Sequence, residues 1–214
     1  MKSVLLISTI ISLVSGLPSR ADEPTLQATQ FGNVTYAGAG CPSNSTTSSF
    51  SNDTWTLNYD GFTAVVEANV TAGTADCVTT LSVAVPSGWK LTPDKIRDDF
   101  FTWVQEGVDG VVLTEASFSV NTSHKVTHLL LYIITAKSLQ SNDTLAFAGP
   151  ATGSGWCTAD FGSKPFYSPC GGGRVDISLH TRASLKAINS TNLQMEQSLL
   201  DIKSSDYTVK WVRC

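Results

Sequence analysis

Cysteines, clustered carboxylates, three histidines, a glycine-flanked serine and five tryptophans are the side chains of this sequence with chemistry to offer. In an oxidising compartment cysteines become cross-links, and Cys41, Cys77, Cys157, Cys170 and Cys214 give two bridges and one odd thiol, with the pairing open. No Cys-x-x-Cys occurs, so a zinc site has no support. Cys170, with three glycines after it and His180 beyond, has the residue types of a nucleophile and its base. The preceding Pro169 and the oxidising setting favour a disulfide half instead. The acids Asp94, Asp98, Asp99, Glu106 and Asp109 are concentrated in one stretch. Two of them facing a cleft about 5–10 Å apart would give an extracellular carbohydrate-active enzyme. The default is a solvated acidic edge, because charged side chains are mostly exposed, and the Asp-x-Asp-x-Asp-Gly spacing of a calcium loop is missing.

The remaining candidates are weaker. His124 and His128 flank the start of a strand-like run, where four residues at ~3.3 Å each separate them by about 13 Å, too far for one metal ion. Ser154 sits in Thr152-Gly153-Ser154-Gly155, which lacks the first glycine of a nucleophile elbow. No catalytic residue, metal or cofactor is implied. Trp55 and Trp211 lie in alternating stretches and belong to a core, whereas Trp89, Trp103 and Trp156 are nearer turns. An exposed indole stacks on the apolar CH face of a sugar, which makes these three the glycan-binding candidates. Asn-x-Ser/Thr sequons stand at Asn33, Asn44, Asn52, Asn69, Asn121, Asn142 and Asn189, and each one used must lie at the surface.

The elements that position these residues are strands. Val175–Thr181 and Tyr207–Arg213 alternate apolar and polar residues, the period that sends one set of side chains to a core and the other to water. Phe31–Tyr36, Thr54–Tyr59, Phe62–Glu67, Cys77–Val85, Val111–Val120, Lys125–Ala136 and Leu145–Ala148 read likewise, with Lys125–Ala136 central. Asp60-Gly61 is a hairpin signal. Ser43–Asn52 and Val70–Asp76 read as loops, and Gly149–Gly173 as a long loop stapled by its cysteines. Thr92-Pro93-Asp94 is a good helix start, with Ile96, Phe100, Trp103 and Val104 on one helical face, and a short helix fits Asn192–Leu200. The expected fold is all-β: one antiparallel, jelly-roll-like β-sandwich over 31–214, disulfide-stapled, with at most one or two short helices.

Residues 1–21 carry a basic start, an apolar run and a small-residue exit, the pattern of a secretory signal peptide cut after Ala21, with 22–30 a loose arm. Removing it takes two of the 14 basic residues and none of the 18 acidic ones, moving the net charge from −4 to −6. An acidic chain without a basic stretch argues against nucleic acid and anionic membranes as partners. A secreted, extracellular protein is expected.

Several motifs occur together in order. They are Gly40-Cys41-Pro42, the strand Trp55-Thr56-Leu57-Asn58-Tyr59, Cys77 opening a strand that ends in Pro86-Ser87-Gly88-Trp89, and Gly107–Gly110. Ser168-Pro169-Cys170-Gly171 and a terminal Trp211-x-x-Cys214 follow. This pattern resembles a family of small secreted proteins of unknown function, frequent in filamentous fungi and found in some cyanobacteria and invertebrates. The resemblance implies that Cys41, Cys77, Cys170 and Cys214 are the paired cysteines and Cys157 the odd one. It also implies strand for Ile96–Val104, and that reading is taken over the helix. It brings no activity. The expectation is a non-enzymatic sandwich that binds at a cell wall or host interface, to polysaccharide or, as a secreted effector, to a partner protein.

Overall fold

The computed structural model describes Pro24 and residues 31–67, 70–120, 143–160, 165–188 and 197–214. The signal peptide, the arm (Pro24 apart), the strand Lys125–Ala136, His124, His128 and the sequons at Asn69, Asn121, Asn142 and Asn189 lie outside the described residues. Among those described there are ten strands and no helix. They are β1 (Phe31–Ala37), β2 (Thr46–Ser51), β3 (Thr54–Glu67), β4 (Ala72–Val85), β5 (Trp89–Val104), β6 (Val108–Val120), β7 (Asp143–Ala148), β8 (Ala151–Asp160), β9 (Gly173–Ala187) and β10 (Gln197–Arg213).

Two antiparallel sheets stack face to face, one ordered β1-β4-β9-β6-β7 and the other β2-β3-β10-β5-β8. The alternation seen in the sequence decides which side chains lie between them. In β9, Val175, Ile177 and Leu179 turn inward, and in β10, Tyr207, Val209 and Trp211 do the same. Leu57, Phe62 and Val66 of β3, with Leu81 and Val83 of β4, complete much of the core, and Trp55 is 2% exposed. Each fully buried aliphatic or aromatic side chain contributes roughly 1.5–3 kcal/mol relative to exposure.

Five readings of the sequence are corrected by the sheets. The polar stretch Ser43–Asn52 contains the edge strand β2, which pairs with β3 alone, buries Thr46 and packs Phe50 against the core while Thr47, Ser49 and Ser51 face outward. Val70–Asp76 is not a loop beyond Thr71, since β4 starts at Ala72 and pairs with β9 from there. Asp60-Gly61 makes no hairpin. β3 runs straight through it, and Tyr59, Asp60 and Gly61 bulge opposite Lys203 of β10, with Gly61 at φ +94°. The Gly149–Gly173 loop contains β8, which lies along β5. The second candidate helix is corrected too, since its Gln197–Leu200 opens β10. Trp89–Val104 is strand, the reading that the family resemblance implied and the local helix signals opposed.

The β5 result has a simple cause. Ile96, Phe100 and Val104 are four apart, a spacing that a helix and a strand both place on one side. The strand wins because Phe100–Val104 is β-prone and because β10 and β8 flank it, satisfying its backbone groups on both edges. Pro93, which lacks an N–H, sits where the β5–β10 register slips.

Disulfides tie Cys41 to Cys77 and Cys170 to Cys214. The first holds the turn after β1 against β4, and the second joins the start of β9 to the end of β10. The small-residue approach to Cys41 is required by space. A Cβ on Gly38 would lie 2.2 Å from the carbonyl oxygen of Asp76, and Gly38 has φ +127°.

Candidate functional site

The outward face of the second sheet collects aromatic rings. Because β5 turns Ile96, Asp98, Phe100, Thr102 and Val104 inward, it turns Arg97, Asp99, Phe101 and Trp103 outward. Trp103 is 42% exposed and Phe101 half-buried on the surface side. On the neighbouring β8, Trp156 is 61% exposed. Register places Asp99 opposite Trp156, Phe101 opposite Ser154 and Trp103 opposite Thr152. Trp103 and Trp156 therefore stand four residues and one strand apart, roughly 14 Å at ~3.3 Å per residue and ~4.8 Å per strand, with Phe101 between them.

The sequence of β8 keeps this row open. Its outward neighbours of Phe101 and Trp103 are Ser154 and Thr152, too small to cover a ring. Its inward Gly155 lets it lie close on the core, since a Cβ there would come within 2.9 Å of the Phe100 ring. Thr102 Oγ1 donates to the Gly153 carbonyl at 3.2 Å and fastens the edge strand from inside.

The charges around the rings are matched to one another. Arg97 donates through Nε and Nη2 to Asp99 Oδ1, at 3.1 and 2.8 Å, while its guanidinium lies 5.4 Å from the Trp156 ring centroid. Lys203 pairs with Asp201, and Lys210 with Asp94. Thr63 Oγ1 donates to Asp201 at 3.3 Å and Thr56 Oγ1 to Asp206 at 2.6 Å.

The other sequence candidates are scattered. Trp89 begins β5 at the far end of the strand, packs partly on the core and carries the Arg213 guanidinium 5.2 Å from its ring centroid. The carboxylates do not converge. Asp99 points outward, Asp109 belongs to the opposite sheet, Glu106 lies in the β5–β6 turn, and Asp98, expected on a solvated edge, is 3% exposed between the sheets. Cys170 is spent in its disulfide. His180 stands on the outer face of the first sheet, 3.6 Å from Glu115 and 4.0 Å from Asp76. Asn33, Asn44 and Asn52 are exposed, and Cys157 is an unbridged, half-buried thiol on β8.

Asp98 is the residue that sequence reading misplaced most. Ser205 Oγ donates to its Oδ1 and Thr114 Oγ1 to its Oδ2, the latter at 2.7 Å, so it links β10 of one sheet to β6 of the other. Thr181 Oγ1 lies 3.5 Å from that of Thr114 and 3.2 Å from the Tyr207 hydroxyl, extending the polar seam. Burial pushes the Asp98 carboxyl up to about 6, against the two hydroxyl hydrogen bonds that favour its charge. It is enclosed and coupled to structure, not presented to a substrate. Strict alternation from Ile96 would have placed it inside.

The family model described as a domain of unknown function, DUF4360, matches residues 27–214. The chain belongs to the DUF4360 family. No curated protein matches this DUF4360 chain. Among solved structures it is similar to TmCBM61 in complex with β-1,4-galactotriose, at 8% identity and a TM-score of 0.26, covering 86% of this chain and 91% of that one. It is also similar to the enzymatically active domain of bacteriophage CBA120 tailspike protein 4, at 9% identity and a TM-score of 0.21, covering 87% of this chain and 20% of that one. Both superpose on the DUF4360 protein poorly, and what those proteins do stays with them.

Proposed function

We propose that this DUF4360 protein is a secreted, non-enzymatic sandwich that binds polysaccharide at a cell wall or host surface through the outer face of β5 and β8. One observation carries the reading: Trp103 and Trp156, two large exposed rings, share one sheet face with Phe101 between them and only small hydroxyl side chains in front. Single exposed apolar residues are ordinary on protein surfaces, but aligned aromatics on a flat, hydrogen-bonding face suit a sugar chain. Two disulfides fit an oxidising, extracellular setting.

Co-sedimentation with insoluble β-glucan, chitin and cellulose tests the reading. The protein is expected in the pellet with at least one of the three, and the double variant Trp103→Ala, Trp156→Ala in the supernatant. Loss of all retention by the wild type, or retention equal in the variant, refutes it.

A further inference from the structure

Resting on that reading, we infer that the polymer bound across Trp103, Phe101 and Trp156 is a neutral, extended, β-linked hexopyranose chain. The first ground is charge. On this face Arg97 is bound to Asp99, Lys203 to Asp201 and Lys210 to Asp94, and Lys95 faces Asp160 in the register. An acidic polymer finds Arg97, Lys203 and Lys210 already matched and also meets Asp206, whose carboxylate is held by the Thr56 hydroxyl and not by a cation. An uncharged chain has no such repulsion, and the same carboxylates and hydroxyls of Thr152 and Ser154 serve as hydrogen-bonding partners for sugar hydroxyls.

The second ground is shape. The rings all occupy outward positions on two adjacent strands, so they follow a nearly straight line of roughly 14 Å at strand geometry. A chain with equatorial linkages is a straight ribbon that keeps apolar CH faces along its length, and successive rings of the protein stay in contact with it. An α-linked chain coils and leaves the line after its first contact. The Arg97 guanidinium, stacked by Trp156 and forked to Asp99, holds the outermost ring in position without offering a free charge.

The experiment is isothermal titration with three soluble polymers: hydroxyethylcellulose (neutral, β-linked), soluble starch (neutral, α-linked) and polygalacturonate (acidic). Each is run at about 0.05 and about 0.5 M sodium chloride, which shortens the screening length severalfold. Hydroxyethylcellulose is expected to bind, with Kd changing less than about twofold between the two salts. Trp103→Ala and Trp156→Ala are each expected to weaken binding about fivefold to tenfold, the loss of one stacked ring. A ligand-induced shift of tryptophan emission in the wild type, absent in the double variant, gives a second readout, and circular dichroism checks that the variants fold. Tryptophan-dependent binding of starch or polygalacturonate in place of hydroxyethylcellulose, or a steep salt dependence, overturns the ligand class and leaves the platform standing. Binding of none of the three, or binding indifferent to both tryptophans, overturns the platform itself.

Discussion

Replacing Asp98 with asparagine removes a charge from between the sheets while keeping its shape. In the folded chain the carboxyl titrates at about 6, against 3.8 for an ordinary aspartate. Between those values the folded protein holds a proton that the unfolded chain has released, so raising the pH across this window favours unfolding. About two pH units at about 1.4 kcal/mol each give a penalty of about 3 kcal/mol, fully present above pH ~7 and absent below pH ~3. Asparagine carries no such penalty. Its amide oxygen accepts from Ser205 and its amide nitrogen donates to Thr114, whose own proton is then free for Thr181. A second amide hydrogen without a partner costs about 1 kcal/mol. Asp98→Asn is therefore expected to be about 2 kcal/mol more stable than wild type at pH 8 and about 1 kcal/mol less stable at acid pH. Guanidinium unfolding of both proteins without reductant, at pH values from about 3 to 8, measures the difference, in which the other carboxylates cancel. Two stability profiles that run parallel across the window refute the reasoning.

Other outcomes follow from the same geometry. Trp156→Ala is expected to change stability by less than about 0.5 kcal/mol, as an exposed side chain, whereas Trp55→Ala at 2% exposure should cost about 3–5 kcal/mol; thermal melts compare them directly. Removing the Cys170–Cys214 bridge, which spans 44 residues, by replacing both with serine should cost about 3–4 kcal/mol of unfolding free energy, read as a lowered guanidinium midpoint. Thiol titration of the unreduced, unfolded protein should find one group per chain, assigned to Cys157 by mass spectrometry of the adduct. Gly155→Leu should displace Phe100 or lift β8, visible as a changed near-ultraviolet circular dichroism spectrum together with weakened polysaccharide retention.

How much of this was legible depended on whether the local pattern had one meaning. In Val175–Leu179 and Tyr207–Trp211 strict alternation admits only a half-buried strand, and the structure has one in each place. Trp55 and Trp211 were readable as core for the same reason. Ile96, Phe100 and Val104 were not, because spacing by four serves both periods. On a helix Trp103 joins the buried face and Asp98 leaves it; on the strand their places are exchanged. Trp103 and Trp156 were candidates from the sequence and the resemblance implied strand for β5, but only the pairing with β8 sets the two rings on one face. β8 was hidden for a different reason: glycine, serine and threonine in Ala151–Gly155 carry turn signals, and only the cross-strand partner β5 makes them sheet. Asp60-Gly61 shows the converse, a strong turn dipeptide overridden by the longer pairing of β3 with β10.

Trp156 rides β8, which among the described residues is the outermost strand of its sheet and is paired along one side only. Such strands are the first to peel away when a sandwich breathes. A molecule laid over both β5 and β8 would act as a splint across that seam, so occupancy would be written into the backbone as slower amide exchange along Ala151–Asp160, well beyond the rings it touches.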